Sequence, residues 1–282
     1  MNSHSLLHGA GVALQHAHGA AILADPQRLD FFEIQAEAYF ASDAVAHGQL
    51  LALCQLLPLS VHSIGLSLGG AKPLDGEHMQ ALLQLCRRYP PALVSAHLGC
   101  APPATSLLGD NLPLVYNAST LQRLVEHVDQ LQTALGHQLL IENPPAYVRL
   151  ADSDLHEADF LHALCRRTGC GLLLDIGNLL ISCHNCGGSP EDYLRRLPVA
   201  QIGEIHLAGY SQLPMASGAC LLVNEQASVI SDASWALYAE LLRRIGTRPV
   251  VVEWQRQLPS WLVLAAEVDC ARALQYAPLM PE

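Results

Sequence analysis

The sequence has no apolar run long enough to cross a bilayer and no excess of basic charge, and we expect no signal peptide. Its hydrophobic stretches are short and interrupted, and the first residues lack a basic segment followed by an apolar one. Asp and Glu number 26 against 15 Lys and Arg, giving a formal net charge of -11. General binding to nucleic acid, which requires a basic face, is therefore excluded. We predict a cytoplasmic protein with neither a membrane nor a nucleic-acid partner.

The chain also lacks a linker, a low-complexity segment or a block of charge that would divide it. Its 282 residues are enough for two ordinary domains or for one α/β barrel. Aromatic residues make up only 5%, whereas the 51% hydrophobic content is mostly Leu, Ala, Val and Ile, the usual filling of strand and helix layers. We predict one domain over residues 1–282.

Cysteines are present but unsuited to a disulfide framework. There are nine, an odd number, in a long chain without an export signal. Cys183 and Cys186 have CxxC spacing, but no second CxxC exists to complete a four-thiolate zinc site. A redox or metal role for this pair is conceivable, and we favour the simpler interpretation of a loop that carries two thiols.

Eight short apolar runs alternate with segments of helical period. The predicted strands are Gly11–Leu14, Asp30–Ile34, Leu59–His62, Leu93–His97, Gln138–Glu142, Gly171–Asp175, Ile202–Leu207 and Pro249–Glu253. The predicted helices are Ser42–Leu57, Gly76–Arg88, Ser119–Leu135, Asp152–Thr168, Ser189–Leu197, Ser234–Ile245 and Pro259–Tyr276. This α/β alternation favours a single (β/α)8 barrel of the TIM type, with a doubly wound open sheet as the alternative. Three segments are predicted as loops of the active face: Gly65–Pro73, Gly99–Pro113 and the helix-free Ser211–Ile230.

From the third predicted strand onward, the last or the penultimate residue of every strand can bind a metal. These residues are His62, His97, Glu142, Asp175, His206 and Glu253. In a barrel the carboxyl ends of the strands converge on one face, which carries the chemistry. Imidazole and carboxylate without thiolate suit iron, manganese or zinc. Six ligands are too many for one catalytic metal with an open position, but they suit two metals bridged by a carboxylate.

Glu142 stands near the middle of this series and is the candidate bridge. One His or Asp at a strand end is more often a hydrogen-bonded polar group or a helix cap than a ligand. Asp175, for example, is also placed to cap the segment that follows it. Six such placements in succession favour the metal interpretation.

Short motifs surround these residues along nearly the whole chain. They include Phe32-Glu33-Ile34 with Glu37 and Tyr39, Ser95-Ala96-His97-Leu98, Glu142-Asn143-Pro144, Gly171–Asp175 with Asn178, and Gly203-Glu204-Ile205-His206. In this combination the sequence resembles the multinuclear non-haem iron-dependent oxidative enzymes, a barrel family that modifies ribosomally made peptides, often at cysteine. It includes the methanobactin-biosynthesis oxidase and the 3-thiaglutamate-pathway enzyme.

The resemblance implies that the six strand-end residues are iron ligands, and we take Glu142 and Asp175 as the catalytic candidates. It also implies mixed-valent iron that activates dioxygen, and a precursor peptide oxidised at an iron-bound cysteine. A small partner protein that recognises the leader of the peptide is the further expectation.

The sequence departs from the family at a third iron position. Asn224 and Gln226 stand where relatives usually have Asp and His, and neutral amides are poor iron ligands. Cys186 occupies the place of a histidine in an Asn-His-Gly motif, and His184 is an alternative ligand nearby. The expectation is a di-iron core, with a third site weakened by these changes; Asn178, His184, Asn224 and Gln226 are the candidate ligands of that weakened site.

Two other hypotheses remain open from the sequence. One is a divalent-metal isomerase or hydrolase of the xylose-isomerase-like barrel type, which also places His, Asp and Glu at strand ends. The other is a non-catalytic relative that keeps the fold and binds a partner, motivated by the changes at Asn224 and Gln226. The six intact strand-end residues argue against the second.

Overall fold

The barrel is built from eight parallel strands, in agreement with the predicted α/β fold. The computed structural model describes residues 7–41, 43–100, 112–216 and 218–276. The barrel strands are β1 (Ala10–Ala13), β2 (Phe31–Gln35), β3 (Leu59–Ser63), β4 (Leu93–His97), β5 (Leu139–Glu142), β6 (Gly171–Asp175), β7 (Ile202–Ala208) and β10 (Val250–Glu253). They pair in the closed order β1-β10-β7-β6-β5-β4-β3-β2. The open-sheet alternative is therefore wrong.

Helices surround the barrel and cover the outer faces of its strands. They are α1 (Gly19–Ala24), α2 (Ala44–Cys54), α3 (Gly76–Arg88), α4 (Ala118–Leu135), α5 (Glu157–Thr168), α6 (Ile176–Cys186), α7 (Pro190–Arg196), α8 (Asp232–Ile245) and α9 (Trp261–Tyr276). Because both faces of each strand are covered, the strands read as nearly continuous apolar runs.

Helix ends follow local capping chemistry. The side chain of Asn117 accepts a hydrogen bond from the backbone N–H of Thr120 at the start of α4, and Gly136 ends the helix in the left-handed conformation (φ 65°). The start predicted for α5, at Asp152, is wrong. Ser153 Oγ instead accepts from the backbone of Tyr116, and the helix begins after His156, whose ring caps it.

Helix α6 was not predicted. Asp175 is the last residue of β6 and also the N-cap of α6, so no loop separates the two elements. The side chain of Asp175 accepts a hydrogen bond from the backbone N–H of Asn178 at 2.7 Å. Cys183 and Cys186 lie in the last part of this helix, so the interpretation of the pair as belonging to a loop is wrong.

A hairpin follows β7 within the predicted Ser211–Ile230 excursion. Its strands, β8 (Ser211–Pro214) and β9 (Cys220–Val223), pair antiparallel. Of the residues described in this excursion, none is helical, as expected. A Cβ on Gly209 would lie 2.0 Å from the carbonyl oxygen of Ser228, so the returning chain requires glycine there.

Two further expectations concern segments with limited description. Most of the predicted loop Gly99–Pro113 lies outside the described residues, as does Ser42, the predicted start of α2. Among the helices described, none has the length and apolar character needed to traverse a bilayer.

Candidate metal centre

The strand register brings the predicted residues side by side inside the barrel. His97 of β4 is level with Glu142 of β5, and Asp175 of β6 is level with His206 of β7. Side chains at equivalent positions of neighbouring parallel strands point to the same face. These four side chains therefore share the interior of the barrel at the carboxyl ends of its strands.

An irregularity in the barrel helps to produce this register. Leu172 pairs with Ile202, but Leu173 pairs with Glu204, so Gly203 is an extra residue in β7. Bulges of this kind re-aim the residues that follow. Glu204 and His206 consequently both point inward.

Glu142 lies at the centre of the cluster. Its Oε2 is 3.1 Å from Nε2 of His62 and 2.9 Å from Nε2 of His97, and its Oε1 is 3.9 Å from Nδ1 of His206. Nδ1 of His206 is also 3.5 Å from Oε2 of Glu253. The two carboxylate oxygens of Glu142 thus face different imidazoles.

Two groups with metal-binding geometry share this residue. One consists of His62, His97 and Glu142, the other of Glu142, Asp175 and His206, and within each group the ligand atoms lie within 4.8 Å of one another. The structure thereby brings all six predicted strand-end residues to one region. Glu253 lies outside both groups but contacts His206.

The charges of the cluster are strongly coupled. Burial opposes ionisation of Glu142, but His97 and His62 hold its pKa well below the usual range. Burial alone would lower the pKa of His97. The carboxylate of Glu142 outweighs this effect, so the pKa of His97 is raised. Burial and the neighbouring carboxylates of Glu142 and Glu253 raise the pKa of Asp175 to about 8. Three carboxyl groups that disfavour one another's ionisation at such close range favour a bound cation.

Unsatisfied buried atoms fit the same requirement. Oδ2 of Asp175 and Nδ1 of His206 are buried without a hydrogen-bond partner among the described residues. Native interiors rarely leave such atoms unpaired, and a bound ion is one explanation. Imidazole nitrogen and carboxylate oxygen are suitable donors for iron, manganese or zinc.

Each of two histidines is oriented by a neighbour outside the cluster. Nδ1 of His62 lies 2.8 Å from Oγ of Ser95, which leaves Nε2 facing Glu142. Nε2 of His206 lies 3.2 Å from Oε2 of Glu33, which leaves Nδ1 facing Glu142 and Glu253. Contacts of this kind fix the ring orientation of metal-binding histidines.

Glu33 and Glu204 were not predicted as site residues, although both are fully buried in the barrel. With His206 they form a further compact group of possible ligands. Burial and the neighbouring Glu33 raise the pKa of Glu204 to about 8. The available signal was the strand period: Glu204 precedes His206 by two residues and so shares its inward face.

Amide side chains occupy the side of the cluster where the third iron was expected. Nδ2 of Asn224 donates to Oδ1 of Asn178 at 3.0 Å, and Nε2 of Gln226 donates to Glu253 at 2.5 Å. Gln255 donates to the other oxygen of Glu253 at 2.8 Å. Gln226 has a positive φ of 48°, an uncommon conformation outside glycine. These amides act as hydrogen-bond donors that orient neighbouring groups.

His184 lies elsewhere. It is exposed near the end of α6, and its Nε2 is 2.9 Å from the carbonyl oxygen of Cys220 in the hairpin. Among the described residues, the groups with metal-binding geometry do not include His184 or the Cys183–Cys186 pair.

One side of the cluster opens toward solvent. The side chain of His97 is 27% exposed, whereas those of His62 and Glu142 are 1% and 3% exposed. A cavity of about 500 Å³ lies at the carboxyl ends of β1 and β2, and Gln35, which lines it, is level with His62 in the barrel. The exposed edge of His97 and this cavity therefore both lie on the face where the carboxyl ends of the strands meet.

Comparison with known proteins gives close relatives over almost the whole chain. A UPF0276 protein of Paraburkholderia phytofirmans is 42% identical over 262 residues, which cover 93% of this chain and 85% of that protein. The UPF0276 protein RB0508 of Rhizobium meliloti is 40% identical over 266 residues, covering 94% and 86%.

Solved structures show the same fold at low identity. A xylose isomerase-like TIM barrel protein from Mycobacterium smegmatis, in complex with magnesium, has a TM-score of 0.60 and 16% identity, covering 98% of this chain and 100% of that chain. D-psicose 3-epimerase from Clostridium cellulolyticum also has a TM-score of 0.60, with 14% identity, covering 95% and 98%. At these identities the likeness establishes the fold alone.

The model of one protein family matches residues 9–276, which include every strand of the barrel and all six clustered residues. Its members are enzymes that modify ribosomally synthesised, post-translationally modified peptides (RiPPs), so a precursor peptide is the class of substrate. The resemblance stated from the sequence is thereby confirmed. The chain belongs to the RiPP precursor modification enzyme family MbnB/TglH/ChrH.

Proposed function

We propose that this protein is an iron-dependent enzyme that uses dioxygen to oxidise a cysteine of a precursor peptide at a di-iron centre. The observation that carries the proposal is the position of Glu142 in two groups of ligands at once. A carboxylate that faces two sets of donors is the usual bridge of a two-metal site. The donor set of three imidazoles and three carboxylates, without thiolate, suits iron.

The metal ligands in this proposal are the six clustered residues. His62, His97 and Glu142 would hold one iron, and Glu142, Asp175, His206 and Glu253 the other. When bound, iron would supply a site for the substrate thiolate and the electron transfer by which dioxygen, the oxidant, is reduced. Asn178, Asn224 and Gln226 are hydrogen-bond donors to this centre rather than ligands of a third iron.

The protein residues have distinct tasks in this scheme. Ser95 and Glu33 orient His62 and His206, so that the ring nitrogens face the centre before the metal arrives. His97, the most exposed of the three imidazoles, marks the side from which the peptide and dioxygen enter. Oδ1 of Asp175 accepts a hydrogen bond from the backbone of Asn178, which leaves Oδ2, buried without a hydrogen bond, to hold the second iron.

The cavity beside Gln35 supports a peptide substrate. Its volume of about 500 Å³ lies within the range of roughly 300–1,000 Å³ that ligand-binding pockets occupy. A small partner protein that holds the leader of the peptide completes the proposal. The family resemblance is the support for that partner.

Metal analysis of the protein purified without oxygen tests the proposal. We expect about two irons per chain and dioxygen consumption that depends on the precursor peptide. Glu142→Ala should remove most of the bound iron, because both groups of ligands lose their shared member. Glu126→Ala, on the exposed face of α4, is the matched control and should keep it.

Full iron content in Glu142→Ala would contradict the bridging role. Manganese or zinc in place of iron, with no dioxygen consumption, would favour the divalent-metal isomerase or hydrolase. Failure to bind any metal would favour a non-catalytic binding protein.

A further inference from the structure

A second cavity lies at the carboxyl end of β5, and none of the six clustered residues lines it. It lies between the loop after β5, the end of α6 and the start of α5, with a volume of about 120 Å³. An apolar cavity of roughly 150 Å³ is large enough to hold benzene. This cavity therefore has room for one apolar side chain of moderate size.

The walls of the cavity are apolar and fixed. Pro144, Pro145 and Ala146 form one side. The backbone N–H of Ala146 donates to Oγ of Ser182 at 2.8 Å, and Asn185 donates to the carbonyl oxygen of Ala146 at 3.2 Å. These bonds fasten the loop to α6, so the cavity is formed before any ligand binds.

The floor of the cavity cannot serve a cation. The buried carboxyl group of Glu157 lines it, but both oxygens already accept hydrogen bonds, from the hydroxyls of Tyr116 and Tyr193, each at 2.6 Å. Burial also raises the pKa of Glu157. A basic side chain entering the cavity would meet a carboxyl group whose oxygens each already accept a hydrogen bond, whereas an apolar side chain needs no partner there.

The rim of the cavity is basic. The guanidinium of Arg149 is exposed there, and with the residues that the structure describes it forms no hydrogen bond or ion pair. Val148, next to it, is 58% exposed. In a chain of net charge -11, an unpaired arginine beside an apolar cavity is complementary to a carboxylate attached to an apolar group.

The cavity and the metal cluster share two structural elements. Pro144 follows Asn143, whose side chain exchanges two hydrogen bonds with the backbone of Asp175. Ser182 lies one turn after Asn178, whose amide is 3.5 Å from Oε1 of Glu142. The cavity therefore lies on the same side of the barrel as the cluster, at the carboxyl end of β5.

We propose that this cavity binds an apolar side chain of the precursor peptide and that Arg149 binds the carboxylate of an adjacent Asp or Glu. The cavity would then select the sequence next to the modified residue. The proposal rests on the proposed function only for the position of the reacting cysteine of the peptide. Binding of the peptide in the cavity requires neither iron nor dioxygen.

The thiols of Cys183 and Cys186 line the cavity and report its occupancy. We would measure their alkylation by iodoacetamide in metal-free protein, with mass spectrometry to resolve each site. The probes are N-acetyl-Leu-Asp-amide and N-acetyl-Leu-Lys-amide at about 10 mM, above the millimolar Kd of a small fragment. Cys270, exposed on α9, is the internal control.

The acidic probe should slow alkylation of both cavity thiols several-fold, and the basic probe should not. Neither probe should change the rate at Cys270. Arg149→Glu should abolish protection by the acidic probe, whereas Arg243→Glu, an equal change of charge on the exposed end of α8, should preserve it.

Equal protection by the two probes, absence of protection by either, or unchanged protection in Arg149→Glu would each overturn the proposal. Because the assay uses metal-free protein, its result is independent of the oxidase hypothesis. A protein that binds the acidic probe but consumes no dioxygen would refute the proposed function and leave the cavity assignment standing.

Discussion

Replacing Glu33 by alanine removes the carboxylate oxygen that lies 3.2 Å from Nε2 of His206. Both side chains are buried, with exposed fractions of 0% for His206 and 2% for Glu33, so water cannot replace the lost partner. The ring of His206 would then be free to turn Nδ1 away from Glu142 and Glu253. Removal of such an orienting partner lowers metal affinity by roughly 10- to 100-fold, equivalent to about 1.4–2.7 kcal/mol.

Competition between the protein and a chelator for Fe(II), without oxygen, measures this loss. Glu33→Gln should lose less affinity than Glu33→Ala, because the amide oxygen can still accept a hydrogen bond from the ring. Glu126→Gln, on the surface of α4, controls for loss of a negative charge. Circular dichroism and thermal unfolding establish that each variant is folded.

Unchanged iron affinity in folded Glu33→Ala would refute the reasoning. It would mean that packing alone fixes His206. A loss in Glu33→Gln as large as in Glu33→Ala would instead show that the negative charge, and not the hydrogen bond, matters.

Three further predictions concern other parts of the chain. Asn224→Asp combined with Gln226→His should raise the iron content by about one per chain in elemental analysis, because both acquire donors that iron prefers; an unchanged content would show that the position itself is unsuitable. Burial by itself would raise the pKa of Glu37, but hydrogen bonds, the largest from His78, lower it to about 2. The wild type should therefore exceed Glu37→Gln by on the order of 3 kcal/mol in free energy of unfolding above pH 4.5 and lose this advantage as the pH falls toward 2, in urea titrations. Burial raises the pKa of Glu157, so the reverse sign holds: the stability of the wild type relative to Glu157→Gln should fall as the pH rises above 4.5, and a constant difference would contradict this.

Much of the barrel and its cluster could be predicted because one rule governs both. A strand buried on both faces is an apolar run, and a polar residue that ends such a run must lie at the rim of the barrel. Glu142 after Leu139–Ile141 and Glu253 after Val250–Val252 are clear cases. Their position, and not their residue type alone, indicated that they would meet.

Elements that depend on neighbours in space escaped prediction. α6 begins directly at Asp175, without the turn residues that usually announce a helix. Glu33 and Glu204 lie within apolar strands. The apolar pattern of those strands indicates that they are buried, but it does not show that a carboxylate within them orients a histidine. The place of His184, whose ring contacts the hairpin backbone, is set by a contact across 36 residues of sequence.

The direct passage from β6 to α6 has a consequence for the divergence of this family. Barrel enzymes usually change specificity by insertions in the connections that follow their strands. Here Asp175 ends one element and caps the next, so even one added residue would separate its carboxylate from the cap or from Glu142. Among homologues we therefore expect length differences in the connections after β4, β5 and β7, and a constant length at Asp175.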